Sequence, residues 1–318
     1  MGTYIIRRLI QSIFVIILIT LVVFVVIRLL PGDPILIYMS QHDVDSLTVE
    51  QVNAVRAEFG LDKSMPLQYV NWIGSIFHGD LGKSLFYNQS VGQLISRRLP
   101  VTLYLGLTAY ILSHLLGIIF GVISALRRGG WADTVVTLLA NIGITIPIFW
   151  LGVLLIWVFG LKLDWLPRFG YTSPFVDIVQ SIRQAILPIF CLSIFSVAST
   201  TRQTRSSMLE VIRQDYIRTA WSKGLRERAV VVRHVLKNGL IPVVTLSGIG
   251  LSNILGGSVL IEQVFNIPGM GRLGVEAVFS QDYAIIQAII LITAGMVVTV
   301  NLLVDISYGW LDPRVRYS

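Results

Sequence analysis

Six long runs of apolar residues dominate this chain of 318 residues. A helix of roughly 20 apolar residues crosses a bilayer core about 30 Å thick, and it satisfies its backbone polar groups internally. The fourth run is the shortest and contains a proline. The runs are Leu9 to Leu30, Val101 to Leu126, Thr134 to Gly160, Ala185 to Thr201, Leu240 to Ile261, and Ala284 to Val304. The sequence therefore predicts an all-α integral membrane protein with six transmembrane helices.

The composition agrees with a membrane protein. Hydrophobic residues make up 54% of the chain and charged residues 14%, which is unlike a soluble domain. Arg28 is the one Lys, Arg, Asp or Glu within the six runs, and it is close enough to an end to reach the membrane surface. The first run is too long for a cleaved signal sequence and lacks a cleavage site, so we expect a retained span. The single cysteine, Cys191, is expected to pack as a small apolar residue.

The basic residues predict the orientation of the chain, because Lys and Arg accumulate in cytoplasmic loops. With six spans, four basic groups fall on one side: Arg7 and Arg8, Arg127 and Arg128, nine residues from Arg202 to Lys237, and Arg314 and Arg316. The opposite side carries the long segment from Pro31 to Arg98, in which acidic residues outnumber basic ones. Both termini are therefore predicted to be cytoplasmic. The net charge of +7 follows from this topology and from contact with anionic lipid, and nucleic-acid binding is not expected.

The external segment has the pattern of a small helical insert. Thr48 and Gln51 form a capping box, and Gly60 is placed to end the helix that follows. Pro66 suits the first position of a second helix. The first helix is expected to bury Val52, Val55 and Phe59. The second helix has an apolar side whose exposed aromatic residues need cover from a partner subunit, the binding protein or lipid; this side consists of Leu67, Val70, Trp72, Ile73 and Phe77. The chain is thus predicted to divide into residues 1–30, residues 31–100 and a five-span core, residues 101–318.

The loop between the fourth and fifth runs, residues 202–240, is basic and amphipathic. Four residues recur at helical spacing, with Lys223 in the last turn and Gly224 placed to end the helix in a left-handed conformation. A second apolar stripe follows. The first stripe is Leu209, Ile212, Tyr216 and Ala220, and the second is Val230, Val231, His234 and Val235. Two short helices joined at Gly224 are predicted, too polar to span a bilayer and suited to a surface or a protein groove.

Small and polar residues in the fifth run indicate a face that meets protein or a water-filled cavity. These are Ser247, Ser252, Asn253, Gly256, Gly257 and Ser258. A loop containing Pro268, Gly269, Gly271 and Gly274 is predicted before the last run. Gly117 and Gly121 form a pair that allows close helix packing, and Pro147 and Pro188 predict kinks in the third and fourth runs.

The sequence shows no constellation for catalysis or for a bound metal. Gly82, Lys83 and Ser84 imitate the end of a phosphate-binding loop, but Phe77 stands where the earlier glycine is required. The four histidines have no metal-ligand spacing, and His114 is interpreted as a packing residue rather than a proton relay. We therefore expect no catalytic residue, no metal and no cofactor on this chain.

The segment from Gln214 to Val243 resembles the EAA loop of permease subunits of binding-protein-dependent ABC importers. Arg218, Thr219 and Ala220 stand where that motif has Glu-Ala-Ala, and Gly224 stands at its glycine. Other segments are similar to the first permease subunit of dipeptide, oligopeptide and nickel importers. They are RLLPGDP from Arg28, FGLDKSMPLQYVNW from Phe59, GDLGKS from Gly79, RRLPVTLYL from Arg97, and LDPRVR from Leu311.

The resemblance implies a type I ABC importer permease fold in the cytoplasmic, or inner, membrane of a bacterium or archaeon. It implies a heterodimer with a second, homologous permease subunit, two ABC ATPase subunits that hold ATP and Mg, and an extracytoplasmic solute-binding protein. The residues implied for ATPase coupling are Asp215, Tyr216, Arg218, Thr219, Ala220, Lys223, Gly224 and Leu225. Those suggested for the translocation path and gate are Ser252, Asn253, Gly256, Gly257, Pro268, Gly269 and Gly271.

The substrate stays open at this stage. Peptides are the family's commonest cargo, but nickel chelates, glutathione, opines and oligosaccharides use similar permeases. An ion-coupled secondary transporter would usually carry acidic residues in its spans, and the six runs contain none. An intramembrane enzyme would need Ser, His, Asp or Cys groups that converge at membrane depth.

Overall fold

A computed structural model describes residues 2–29, 49–58 and 60–311. The side chains of residues 2–5, 49, 54, 55, 58, 245, 246, 248, 249, 251–253, 255, 257 and 305–311 are not described. Its regular structure is helical, apart from one isolated bridge between Lys83 and Ser90. The helices in the described part are α1 (Gly2–Leu29), α2 (Val49–Glu58), α3 (Met65–Phe77), α4 (Val91–Leu126), α5 (Trp131–Thr145), α6 (Ile148–Leu155), α7 (Ile178–Ile212), α8 (Asp215–Ser222), α9 (Glu227–Val230), α10 (Ile241–Val264), α11 (Met270–Phe279) and α12 (Tyr283–Leu311). Helix α6 continues as a π-helical segment, Ile156–Lys162, and α9 continues through a second one, Val231–Leu236, into Lys237–Gly239.

Four described helices are long and apolar enough to cross a membrane: α1, α4, α7 and α12. The third predicted span is different, because α5 and α6 meet at an angle of 104° instead of forming one helix. Pro147 lies between them and Ile146 is extended, with φ −71° and ψ 125°. A proline has no N–H to donate and disfavours helical geometry in the residue before it. The region predicted as one span from Thr134 to Gly160 therefore consists of two helical arms, Trp131–Thr145 and Ile148–Lys162, and the break between them falls at the proline where a kink was predicted.

Helix α7 is much longer than the fourth apolar run. It extends from Ile178 to Ile212 and includes Pro188 without ending there. Asp177 caps its first turn by accepting a hydrogen bond from the backbone N–H of Gln180 at 3.0 Å. The helix extends beyond the apolar run at both ends, because polar residues such as Gln180 and Arg202 interrupt the hydrophobic pattern but not the helix.

The chain forms two compact units. One contains Val101–Pro268 and the described residues from Thr299 onward, and the other contains Gly2–Pro100 and Gly269–Val298. The core of the first unit includes Leu105, Leu155, Leu192, Ile261 and Phe265. The core of the second unit includes Ile27, Val91, Leu94, Leu273 and Ile285.

In the second unit, the GDLGKS segment has a structural role. The hydroxyl of Ser84 is buried and donates to the Asp282 carboxylate, which also accepts the Phe86 N–H at 3.1 Å. Nearby, the Tyr87 hydroxyl donates to Glu276 at 2.9 Å. Burial of the phenol and this bond to a carboxylate raise the pKa of Tyr87 to about 12. These bonds hold the segment against α11 and against Asp282, which immediately precedes α12.

The two helices of the insert that was predicted to be external, α2 and α3, are close to their predicted bounds. Gly60 follows α2 with φ +64°, and Pro66 lies in the first turn of α3, as predicted. Trp72 and Ile73 are half-buried, whereas Leu67, Val70 and Phe77 are exposed. Val52 is half-buried, and Thr48, Val55 and Phe59 lie outside the described side chains.

The segment before the last run was predicted as a loop, and this prediction holds up to Gly269 but is wrong from Met270 onward. Gly269 precedes α11, and Gly271 and Gly274 lie within that helix. Glycine lowers helix stability by about 1 kcal/mol relative to alanine. Here Met270, Leu273 and Ala277 are buried on one face, which compensates for that loss. Tertiary packing therefore overrides the local preference.

Helices α4 and α7 approach each other closely at the predicted glycine pair. A Cβ atom added at Gly121 would lie 2.5 Å from Cβ of Thr204 and 2.8 Å from the carbonyl oxygen of Thr201. At Gly117 it would lie 2.6 Å from Cβ of Thr200. Both separations are shorter than van der Waals contact, so the helices could not retain this spacing with a larger residue at either position.

Gly121→Ala is expected to destabilise the protein by about 1–3 kcal/mol, because the extra methyl group must displace α7. Thermal unfolding of the purified protein in detergent measures the change. Gly74→Ala is the matched control, since a Cβ atom there meets no atom within 4 Å. An equal unfolding temperature for Gly121→Ala and the wild type would contradict the close packing.

Candidate functional site

The basic segment, residues 213–239, folds against the end of α7. Its two helical parts bury Ile217 and Ala220 on one side, and Val230, Val231 and Val235 on the other. These residues form a core with Met208 and Ala125. The segment is therefore a folded part of the first unit, built on a small apolar core.

Gly224 joins the two parts with φ +72°, a left-handed conformation that was predicted from the sequence. Its N–H donates to the carbonyl oxygen of Trp221 at 2.9 Å and ends the first helix. An added Cβ atom would meet no atom within 4 Å, so the restriction at this position comes from the backbone angle alone.

The predicted boundaries and face of the first helix need correction. The chain was expected to continue in one helix from Leu209 to Lys223, but α7 ends at Ile212 and α8 begins at Asp215. The break rotates the register, so that Ile217 is fully buried and Tyr216 is 48% exposed. Tyr216 therefore belongs to the outer face of the segment.

The outer face of α8 combines charge with exposed apolar groups. Of the residues predicted for coupling, Ala220 is buried, and Asp215, Tyr216, Arg218, Thr219, Lys223, Gly224 and Leu225 are exposed. Arg218 and Asp215 form an exposed ion pair at 3.7 Å. Trp221, which the sequence analysis did not single out, is 41% exposed on the same helix. A solvent-facing aromatic and aliphatic surface with surrounding charge is suited to contact with another protein.

A carboxylate that the sequence analysis missed connects α5 to α7 near this segment. The carboxylate of Asp133, in the first turn of α5, accepts a hydrogen bond from Nε of Arg205 at 2.7 Å and another from Nη2 at 2.9 Å. It also accepts the Gly129 N–H and the Ser124 hydroxyl. Asp133 lies one residue before the third apolar run, so it was not among the charged residues within the six runs.

A second acidic residue lies just beyond the fifth run. Helix α10 continues to Val264, and Glu262 within it is fully buried. The Thr102 hydroxyl donates to Glu262 at 2.7 Å. The apolar runs therefore underestimated the helices, and both neighbouring acids are held by hydrogen bonds at helix ends.

A cavity of about 320 Å³ lies among α4, the α5–α6 bend, α7 and α10. Polar groups line part of it: His114, Ser196, Ser199, Thr200 and Gln203. Nδ1 of His114 is 2.9 Å from the carbonyl oxygen of Tyr110 and must carry the proton, because a carbonyl only accepts. In the neutral ring, Nε2 is then an acceptor. His114, interpreted from the sequence as a packing residue, thus contributes to a polar cavity wall.

The residues suggested for the path and gate are placed in two regions. Gly256 is exposed on α10, and the side chains of Ser252 and Asn253, with position 257, lie outside the described ones. Gly250 of the same helix lines the cavity. Pro268 and Gly269 precede α11 and Gly271 lies in its first turn.

Residues 117–317 match the family described as binding-protein-dependent transport system inner membrane component, and residues 1–106 match its N-terminal family. The chain belongs to this family of transport components. It is a permease subunit of an ABC importer and not an enzyme, and the resemblance seen in the sequence motifs is confirmed.

Relatives of known name extend over the whole chain. A putative peptide transport system permease protein of Brucella abortus is 42% identical over 319 residues, with both chains fully covered. The oligopeptide transport system permease protein AppB of Bacillus subtilis is 40% identical over 324 residues, again with full coverage.

Solved structures of ABC transporters share the fold. A chain of the MetNI methionine ABC transporter in an inward facing conformation gives a TM-score of 0.57 at 18% identity, over 69% of this chain and 97% of that chain. An amino acid ABC transporter gives 0.51 at 16% identity, over 67% and 92% of the respective chains. The permease is therefore a mostly helical, multi-pass membrane protein with the fold of ABC importer permeases.

The ion pair between Asp133 and Arg205 should stabilise the permease. Arg205→Met leaves a carboxylate with 8% exposure without its charged partner, so we expect a loss on the order of 2 kcal/mol. The loss is smaller than for a fully buried pair, because Arg205 is 31% exposed. The double variant Arg205→Met with Asp133→Asn should recover part of the lost stability. Thermal unfolding of the single and double variants measures the difference. Independent, additive effects of the two substitutions would contradict direct coupling.

Proposed function

We propose that this chain is the transmembrane permease subunit of an ABC importer that moves peptides into the cytoplasm. The peptide substrate is supported by the full-length relatives named as peptide and oligopeptide permeases. The coupling role is supported by one observation above all: a folded basic segment that keeps an apolar and charged face of α8 exposed. The chain itself supplies a path, and partner subunits supply the energy.

The proposed assembly contains a second, homologous permease subunit, two ABC ATPase subunits that bind ATP and Mg, and an extracytoplasmic solute-binding protein. Both termini and the basic segment face the cytoplasm of the bacterial or archaeal cell, and the insert before α4 faces outward. The distribution of Lys and Arg supports this orientation in the inner membrane.

In this mechanism, α8 docks into a cleft of an ATPase subunit through Tyr216, Arg218 and Trp221, together with Leu225 just after the helix. Its opposite face holds the helix to the permease, because Ile217 and Ala220 pack into the core that contains Met208 of α7. When ATP brings the ATPase subunits together, α8 and the end of α7 would move as one body. ATP hydrolysis resets the permease.

The translocation path is proposed to include the cavity beside α7. A second cavity, of about 600 Å³, shares Phe195, Ser199 and Gln203 with the first and adds Arg202 and Ser206. Ser196, Ser199, Gln203 and Ser206 lie at helical spacing along α7 and give it a continuous polar side. Peptide groups need such hydrogen-bonding partners to enter a membrane protein. Ser252, Asn253, Gly256 and Gly257 would extend this path, and Pro268, Gly269 and Gly271 would belong to its external gate.

Gly250→Val tests the path. A Cβ atom at Gly250 lies at ordinary contact distance, 3.5 Å from Cε1 of His114, so the added methyl groups should occupy the cavity without forcing the helices apart. We expect peptide uptake by the reconstituted importer to fall several-fold, with assembly unchanged. Gly74→Val adds the same atoms at an open position and should retain uptake. Wild-type uptake by Gly250→Val would contradict a path through this cavity.

Gly224 tests the coupling. Valine disfavours φ +72° by about 1–2 kcal/mol, so Gly224→Val should misplace α8 while the spans retain their packing. Uptake of peptide by reconstituted vesicles should fall, and ATP hydrolysis should lose its stimulation by loaded binding protein. Gly224→Asn should be milder, because asparagine tolerates the left-handed conformation.

Gly79→Val provides the matched control for this backbone effect. Gly79 has φ +77° and, like Gly224, no atom within 4 Å of an added Cβ, but it follows the external helix α3. It should bear the same strain without loss of stimulated ATP hydrolysis. If Gly224→Val retained both uptake and stimulation, Gly224 would be a passive connection and the proposed coupling would be wrong.

A further inference from the structure

A partly buried guanidinium group lies at the end of α1, within the unit formed by residues 2–100 and 269–298. Cζ of Arg28 lies 3.6 Å from the ring centroid of Phe24 and 5.8 Å from that of Tyr283. Its Nε donates to Oε1 of Gln68 at 2.7 Å. Its Nη1 is buried without a hydrogen-bond partner among the described residues. A positive charge removed from water is costly without an anion, so this geometry favours an external acceptor.

Gln287 supplies a second unused donor to the same place. Its side chain is 4% exposed, and its Nε2 is buried without a partner in the described part of the chain. Arg28 and Gln287 both line a cavity of about 460 Å³. This volume lies within the range of roughly 300–1,000 Å³ found for small-molecule sites. The cavity thus has room for a ligand and two donors from different helices.

The acidic residues of this cavity already accept hydrogen bonds from the protein. The Asp282 carboxylate receives the Ser84 hydroxyl and the backbone N–H groups of Phe86 and Ile285. Asp80 accepts the Gly82 N–H at 2.8 Å. Neither carboxylate forms an ion pair with Arg28 in the described structure. The unused donors remain available to an added oxyanion.

We propose that this cavity binds the phosphate group of an anionic membrane phospholipid. The planar guanidinium group matches phosphate oxygens, and the Gln287 amide can donate to a further oxygen. A lipid is favoured by the position of Arg28 in the last turn of an apolar helix, where Val26 and Leu29 are 52% and 71% exposed. Lipid tails would cover these side chains while the headgroup reaches the arginine.

The aromatic residues around Arg28 support the same ligand. Tyr69 packs edge-on against Phe24 at 5.2 Å between centroids, and Trp72 stacks on Phe24 at 6.2 Å. Tyr and Trp are enriched at the level of lipid headgroups, where an apolar ring and a polar tip are both satisfied. The aromatic cluster therefore supports a position for Arg28 at the level of lipid phosphates, and Gln287 lines the same cavity.

The test uses the assembled importer, delipidated in detergent and titrated with short-chain phosphatidylglycerol. The midpoint of thermal unfolding should rise saturably with this lipid, and diacylglycerol, which lacks the phosphate, should not reproduce the rise. Arg28→Gln should weaken the apparent affinity about tenfold or more, because hydrogen bonds to a charged group are lost. Gln287→Leu retains the positive charge of Arg28 and should weaken the apparent affinity several-fold. This second variant tests the site if Arg28→Gln does not fold.

Arg7→Gln is the matched control, since it removes an exposed arginine from the other end of the same helix. It should leave the saturable effect intact. Wild-type affinity in both Arg28→Gln and Gln287→Leu would overturn the proposed site. Inorganic phosphate and trialanine, which has a terminal carboxylate, test whether any free oxyanion can bind. If either stabilised the importer as much as the lipid does, the cavity would be a site for a free oxyanion and the proposal of a lipid ligand would be overturned.

Discussion

The close contact between α4 and α7 determines much of the first unit. Gly117 and Gly121 bring the two backbones so near that Thr200 and Thr204 leave no space for a Cβ atom. Because the contact fixes the rotation of α7, it also fixes where the other faces of that helix point. Ser196 and Gln203 then line the cavity, Arg205 reaches Asp133, and Met208 enters the core below the basic segment. One helix thereby joins the proposed path to the proposed coupling surface.

The break at Pro147 has a related effect on the cavity. The two arms α5 and α6 diverge by 104°, and Ile146 and Ile148 on either side of the proline line the cavity wall. The proline therefore combines two physical effects, the loss of a backbone donor and the creation of room beside polar side chains.

Local sequence signals predicted part of this architecture. Gly224, Gly60 and Pro66 lie where backbone stereochemistry requires them, and such requirements are readable from one residue at a time. The glycine pair of α4 was equally direct. These features depend on the backbone of the residue itself, so distant parts of the chain cannot easily change them.

Other features depend on partners distant in sequence. The break between Ile212 and Asp215 changes the buried residue from Tyr216 to Ile217, and only the core around Met208 decides that register. The helical state of Gly271 and Gly274 likewise follows from burial of Leu273. The role of Asp133 depends on its ion pair with Arg205, which lies 72 residues later in the sequence. Hydropathy runs cannot contain such information, because they record each residue without its contacts.

The length of α7 has a mechanical consequence. Its 35 residues correspond to roughly 50 Å of helix, well beyond the hydrocarbon thickness of about 30 Å. Such a rod amplifies rotation: a tilt of about 5° around one end shifts the other by roughly 4 Å. Met208 lies about 45 Å along the helix from Ile178, so a tilt of about 5° around Ile178 would displace Met208 by roughly 4 Å. A displacement of a few ångströms at the end near the basic segment would therefore be enough to tilt the whole helix.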